Sequence, residues 1–249
     1  MKAIPGPSRS PDRTARVTQK GRDTMDVREA LYTTRAMRRV RPDPIPADMQ
    51  ARILDAAIRA PSGGNAQSWR FLLVDDPGVK ARLAPLYRDA IARLWETAYR
   101  ERLEQARARP EDPESAALLR VQSSAQHLAD HFESVPLYLI AFARGDTSGG
   151  SIFPAVWSAQ LAARAEGVGS AITSVLGVFH GEEAMQILGV PPGKGWTMAC
   201  CVSFGYPTGR WGVAVRRPVH EVAYRNAWGA DVGFEISEPL WSPGAAASG

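Results

Sequence analysis

APSGGNAQSWRFLLV, from Ala60 to Val74, holds a helix stop, a polar turn and a strand in one short span. Upstream, DMQARILDAAIRA (Asp48 to Ala60) sets Met49, Ile53, Leu54, Ala56 and Ala57 around one helical face, and Pro61 ends it. Downstream, WRFLLV (Trp69 to Val74) reads as a short buried strand, closed by Asp75, Asp76, Pro77 and Gly78. Working outward, Asp26 caps a first helix that ends near Thr33 and Thr34. Val79 to Ala108 and Ser115 to Glu133 are helical by periodicity, separated by RPEDPE. Pro136 to Ala143 is an apolar strand, and Ile152 to Glu166 a helix of small residues capped by Gly167. Val168 to Gly177 reads as strand or loop, Glu182 to Leu188 as a short helix, and Trp196 to Gly205 as a buried strand. Helices and strands mix without regular βαβ alternation, so the class is α+β, and no repeat of 20–50 residues is present.

The formal charge of +4 is not spread over the chain. Residues 1–24 carry six bases against two acids, whereas residues 25–249 carry 24 of each. A neutral body with a basic tail argues against a nucleic-acid-binding domain, which needs its basic face on the folded part. The tail, rich in Pro, Gly and Arg, is expected to be disordered, and Met25 is a candidate start. The Ala, Gly, Ser and Pro rich residues 230–249 form a C-terminal extension. No apolar run approaches the ~18 residues that would cross a bilayer. Adjacent Cys200 and Cys201 make no disulfide framework, so a cytoplasmic location is expected. They sit in an apolar run and should alternate across a sheet rather than act as nucleophiles.

Two segments carry candidate chemistry. TTRAMRRVRPDPIP, Thr33 to Pro46, gathers Arg35, Arg38, Arg39 and Arg41 before a rigid proline-rich connection. Arginine suits phosphate because its planar fork donates paired hydrogen bonds and stays charged. The bland reading is a solvated basic surface. In the Ser62 to Gln67 turn, Gly63 and Gly64 permit close backbone approach to a ligand, while Ser62, Asn65 and Gln67 offer polar groups. A plain helix-to-strand loop would also use these residues. Gly167-Val168-Gly169-Ser170 lacks the third glycine of a dinucleotide fingerprint and ends a helix instead of opening one. His127 and His131 have metal-ligand spacing but no third ligand nearby, and read as helix-flank histidines.

Taken in order, these pieces resemble the FMN-dependent nitroreductase superfamily over residues 25–229. The resemblance rests on Thr34 to Arg39 followed by Pro42, Pro44 and Pro46, on Ala60 to Phe71, on Glu166 to Ser170, on Gly205-Tyr206-Pro207, and on Arg216-Arg217-Pro218 with Glu221. It implies an α+β homodimer: a central antiparallel or mixed sheet flanked by helices, with FMN at the subunit interface. It implies that Arg35, Arg38 and Arg216 hold the FMN phosphate. Ser62, Gly63, Asn65 and Gln67 would line the ribityl chain and ring, and Ile172, Thr173 and Ser174 would lie by the isoalloxazine, with Thr173 and Ser174 near its N5 edge. The sequence departs at Thr34, where arginine is usual, and at Ala36, where serine is usual; Arg39 is the candidate substitute ligand. The implied activity is ping-pong electron transfer from NADH or NADPH to a small nitroaromatic, quinone or similar acceptor. Two other readings stay open: a specialised relative that dehalogenates or fragments flavin, and a flavin-binding or storage protein. No nucleic-acid or membrane partner is implied. The helical region around residues 88–120 is expected to cap the substrate pocket.

Overall fold

The computed structural model describes residues 25–243; the basic segment 1–24 and residues 244–249 lie outside the described residues. Four strands, β1 (Trp69–Val74), β2 (Leu137–Ala143), β3 (Gly169–Thr173) and β4 (Thr197–Gly205), form one antiparallel sheet in the order β1-β2-β4-β3. Among the described residues seven α-helices surround it: α1 (Val27–Thr33), α2 (Ala47–Ala57), α3 (Pro77–Glu96), α4 (Arg100–Ala108), α5 (Pro113–Asp130), α6 (Ile152–Ala165) and α7 (Val175–Ile187). This is the α+β arrangement expected from the absence of βαβ alternation.

The central strand β2 is buried on both faces, which is why its sequence LYLIAFA shows no polar alternation. Leu137, Leu139 and Ala141 meet Ile53 of α2 and Val156 of α6 on one face. Tyr138, Ile140 and Phe142 meet Leu83 and Tyr87 of α3, Leu128 of α5 and Leu176 of α7 on the other. The cysteines follow the same period of two: Cys200 joins the first cluster and Cys201 the second. Burial pushes both thiols up, Cys200 to about 12, so neither supplies a thiolate at neutral pH.

Strand β1 occupies the span expected for it, and Asp26 caps α1 by accepting from the Arg28 N–H at 3.1 Å. Several helical boundaries differ: α3 begins at Pro77 and α5 spans Pro113–Asp130, where Val79 and Ser115 to Glu133 are expected. α2 ends at Ala57, before Pro61 is reached. The long helix expected over Val79 to Ala108 is two, α3 and α4, broken at Thr97 to Tyr99; Thr97 has φ −107° and ψ −80°. The short helix expected at Glu182 begins at Val175 and bends at His180, with φ −137° and ψ 30°.

Glycine lets α7 lie close on the sheet. A Cβ on Gly177 would stand 2.6 Å from the Met198 carbonyl oxygen, a backbone atom with nowhere to move. Gly177→Ala is expected to cost about 1–3 kcal/mol in urea denaturation. Gly181→Ala, with nothing within 4 Å of the added carbon, should be neutral or mildly stabilising.

Candidate functional site

The arginine segment runs beside the β3 edge of the sheet. Ala36 bridges Ser170, Met37 N donates to Ser170 O at 2.8 Å, and Arg41 N donates to Tyr206 O at 2.8 Å. The proline-rich sequence keeps this stretch extended, as prolines disfavour helix in their predecessors. The late segment returns to the same place, since Ala214 N donates to Tyr32 O at 3.0 Å, two residues before Arg216.

The arginine side chains then diverge. Arg35 is exposed and donates to the Arg210 carbonyl at 2.9 Å. Arg38 is half-buried under α5, donating to Ser124 Oγ at 3.4 Å. Arg39 donates to His127 Nδ1 at 2.9 Å. Arg216 bonds its neighbour's carbonyl, Val215 O, and lines a cavity of about 510 Å³ with Tyr32, Thr34 and Trp157. Among the described residues none of these four meets a carboxylate, whereas Arg41, Arg52, Arg88 and Arg164 each do.

Arg38 is the most telling of them. Burial lowers its pKa, which is the electrostatic cost of holding a guanidinium away from water. Its neighbour Tyr87 is 1 % exposed, and burial pushes that phenol up to about 12, although Thr173 and Arg38 both pull it down. Arg38 and Thr173 therefore each lie close enough to Tyr87 to act on its phenol, beside the start of α7. Ser174 precedes that helix and makes no side-chain cap, so the first N–H groups of α7 remain available beside Thr173. Ile172 faces the other way and is 38 % exposed.

Sequence reasoning missed three neighbours of this site. Tyr87 reads as core because its helical spacing is that of an apolar residue, and Ser124 carries no signal at all. His127 was read as a helix-flank histidine, and it stacks on His131 with ring centroids 4.1 Å apart. Because Arg39 donates to its Nδ1, the neutral ring carries its proton on Nε2. Burial, then the Arg39 and His131 charges, holds the His127 pKa below its usual value. No group of three or more metal-ligating side chains assembles among the described residues.

The Ser62 to Gln67 turn lies elsewhere. It enters β1, the opposite edge strand, so three strand spacings of ~4.8 Å, about 14 Å in all, separate it from the β3 edge. Its backbone is unusual: Asn65 has φ 52° and Gln67 φ 48°, both left-handed without being glycine. Such conformations cost of order 1–3 kcal/mol each and cluster at ligand clamps. The turn holds itself in shape, with Gln67 N donating to Ser62 Oγ at 3.1 Å and Gln67 Nε2 to Asn65 Oδ1 at 3.0 Å. Gly63 N donates to Ser151 Oγ at the start of α6, closing a cavity of about 370 Å³.

Two separate features of the β3 edge have the chemistry to meet a phosphorylated group, although no one cavity holds both. A half-buried guanidinium lacks an anion, and Thr34, 4 % exposed, has a hydroxyl without a hydrogen-bond partner on the cavity that Arg216 lines. Arg38 lacks a charged acceptor and the Thr34 hydroxyl lacks any partner.

Comparison with known proteins identifies the family. The model of the nitroreductase family matches residues 31–206. A 5,6-dimethylbenzimidazole synthase of Rhodospirillum rubrum is 30% identical over 201 residues, 75% of this chain and 83% of that protein. An NADH dehydrogenase of Thermus thermophilus is 44% identical over 59 residues, a match spanning 24% of this chain and 29% of the relative. Among solved structures, the FMN-dependent nitroreductase NfnB of Mycobacterium smegmatis, in complex with NADPH, aligns with a TM-score of 0.53 at 22% identity, covering 72% of this chain and 86% of that one. With a family match over most of its length and a relative 30% identical along most of both chains, the chain belongs to the nitroreductase family.

Proposed function

We propose that this protein is an FMN-dependent oxidoreductase that takes electrons from NADH or NADPH and passes them to a small electrophilic acceptor, nitroaromatic or quinone. The observation that carries the reading is Arg38, a half-buried cation without a carboxylate, beside Thr173 and the start of α7. When bound, FMN supplies the two-electron chemistry. Arg35, Arg38, Arg39 and Arg216 are the cationic set for its phosphate and for the electron-rich edge of its ring. The α7 N–H groups and the Thr173 and Ser174 hydroxyls would supply further hydrogen-bond donors to the ring. Tyr87 keeps its phenolic proton at neutral pH, so it acts as a donor rather than a charge.

Ser62, Gly63, Asn65 and Gln67 belong to the same reading only through a second copy of the chain. Within one chain the sheet's width stands between them and the arginines. A homodimer brings one subunit's turn against the other's arginine edge. Exposed Leu31, Phe153 and Trp157 on α1 and α6 supply apolar surface for such a contact.

The test is direct. The purified protein is expected to be yellow, or to take up added FMN; anaerobic NADH or NADPH should bleach its flavin band, and a nitroaromatic should restore it. Protein that stays colourless and leaves added FMN free would overturn the reading.

A second reading is favoured by one finding: the R. rubrum relative, matched along most of both chains, is a 5,6-dimethylbenzimidazole synthase. On this reading the protein consumes reduced flavin in air. Product analysis after aerobic incubation separates the two, since fragmentation destroys the flavin absorbance irreversibly.

A further inference from the structure

At the end of the sheet that carries the Ser62 to Gln67 turn, three neighbouring strands place cations around one indole. Trp69 of β1 pairs with Ala143 of β2, and Ala143 with Thr197 of β4. Arg70, Arg144 and Trp196 are the adjoining residues, so the strand order itself assembles them. Arg70 Cζ and Arg144 Cζ each lie 5.1 Å from the Trp196 ring centroid. Cation–π contact of this kind orients a guanidinium without neutralising it.

Nothing acidic balances the pair. Neither arginine meets a carboxylate among the described residues; Arg70 donates to its neighbour's carbonyl, Trp69 O, at 2.6 Å. The two guanidinium groups stand within roughly 10 Å, about the screening length at 0.1 M salt, so each feels the other's charge. The loop into Trp196 adds Lys194, exposed and likewise without a carboxylate. Asp146 shares a cavity with Arg144, but its Oδ2 accepts the Ser151 and Ile152 N–H groups at 3.1 and 2.8 Å, committed to the start of α6. Gly193 and Gly195, at φ +70° and +72°, bend the loop so that the Arg144 stem lies across Gly195.

We propose that Arg70, Arg144 and Trp196 form a binding site for the phosphate groups at the adenosine end of the reduced nicotinamide dinucleotide. This inference rests on the oxidoreductase reading above. Its location supports it: Arg144 lines the same 370 Å³ cavity as Ser62, Gly63 and Gln67, the turn assigned to the flavin, while Arg70 and Trp196 line a second cavity of about 180 Å³, joined to it by the Arg144–Trp196 contact. A dinucleotide whose nicotinamide reaches the flavin extends its phosphates outward from that point. A diphosphate, or the 2′-phosphate of NADPH, suits two planar guanidinium forks that can each donate paired hydrogen bonds. Both arginines are exposed, as an exchanging reductant requires.

The experiment titrates the full-length, flavin-loaded protein with adenosine 2′,5′-bisphosphate and with adenosine by calorimetry. The bisphosphate should bind the wild type clearly more tightly than adenosine does. Arg144→Ala and Arg70→Ala should each weaken it about tenfold or more, with adenosine and the melting temperature unchanged. In turnover, both variants should raise KM for the dinucleotide and spare kcat. A rise for NADPH alone assigns the 2′-phosphate, and a rise for NADH as well assigns the diphosphate. Bisphosphate binding no tighter than adenosine, or variants that bind and turn over like wild type, would sink the proposal. The calorimetry does not depend on flavin reduction, so a protein that fails as an oxidoreductase fails separately.

Discussion

Arg38→Met is expected to lose FMN affinity by about 10- to 100-fold while the folded protein becomes no less stable. The two halves of this result have one cause. Arg38 is half-buried, burial lowers its pKa, and its bond to Ser124 Oγ is long at 3.4 Å. A cation held this way costs stability in the absence of an anion, so replacing it with an apolar side chain of similar length relieves that cost. Once a phosphate or a reduced flavin edge is present, the same guanidinium makes charge-assisted hydrogen bonds worth about 1.5–3 kcal/mol. Affinity and stability therefore move in opposite directions, which a merely structural arginine would not produce. Quenching of free FMN fluorescence gives the affinity, and thermal melting of the flavin-free protein gives the stability. Arg41→Ala is the control, because Arg41 already pairs with Asp43 at 3.1 Å on the exposed surface. If Arg38→Met keeps FMN affinity within threefold of wild type, Arg38 does not hold the cofactor.

The parts of the fold legible in the sequence are those set by local chemistry. A polar turn and an acidic, proline-bearing stop bracket β1, so both its ends lie where the sequence places them. The two faces of β4 follow from alternation, which sends Cys200 and Cys201 to opposite cores. Pro85 shows where local rules fail: it sits inside α3 without ending it, while the actual break at Thr97 has neither proline nor glycine. Side chains satisfy that break, Thr97 Oγ1 bonding Arg93 O and Arg100 Nε bonding Glu96 O, and no periodicity announces it. α7 is the clearest tertiary override. Its opening, Val175 to Gly177, includes the poor helix formers Val175 and Gly177 and reads as strand or loop. Yet Leu176 is fully buried and Gly177 lies against β4. Packing supplies what propensity withholds.

The candidate site was legible as a set of residues and not as an arrangement. The arginine run and the glycine turn are only about 20 residues apart in the chain, and proximity in sequence invites one shared pocket. The strand order places them on opposite edges instead. Which partner each arginine meets depends on α5 and on the late segment, residues 80 to 180 positions away, where no local pattern can register it.

Arg164→Leu is expected to destabilise the protein by about 3 kcal/mol, the low end of the range for breaking a buried ion pair. Arg164 is 6 % exposed on α6 and joins three parts of the chain. Its NH2 donates to Glu29 Oε1 at 2.8 Å and its Nε to Thr33 Oγ1 at 2.8 Å, both on α1, and its guanidinium lies 4.1 Å from the Trp211 ring centroid. The low end applies because the Glu29 side chain is 38 % exposed and can rehydrate, and Thr33 keeps its 2.6 Å bond to Glu29 O. Loss of the Trp211 contact, worth about 0.5–2 kcal/mol and included in that total, frees the segment that leads to Arg216. FMN affinity should therefore fall with stability here, the opposite of the Arg38 result. Arg164→Lys, which keeps charge but not the fork, should lie between the two. Urea denaturation measures the loss, and a change below 1 kcal/mol would mean that α1, α6 and the Trp211 segment are held together by apolar packing alone.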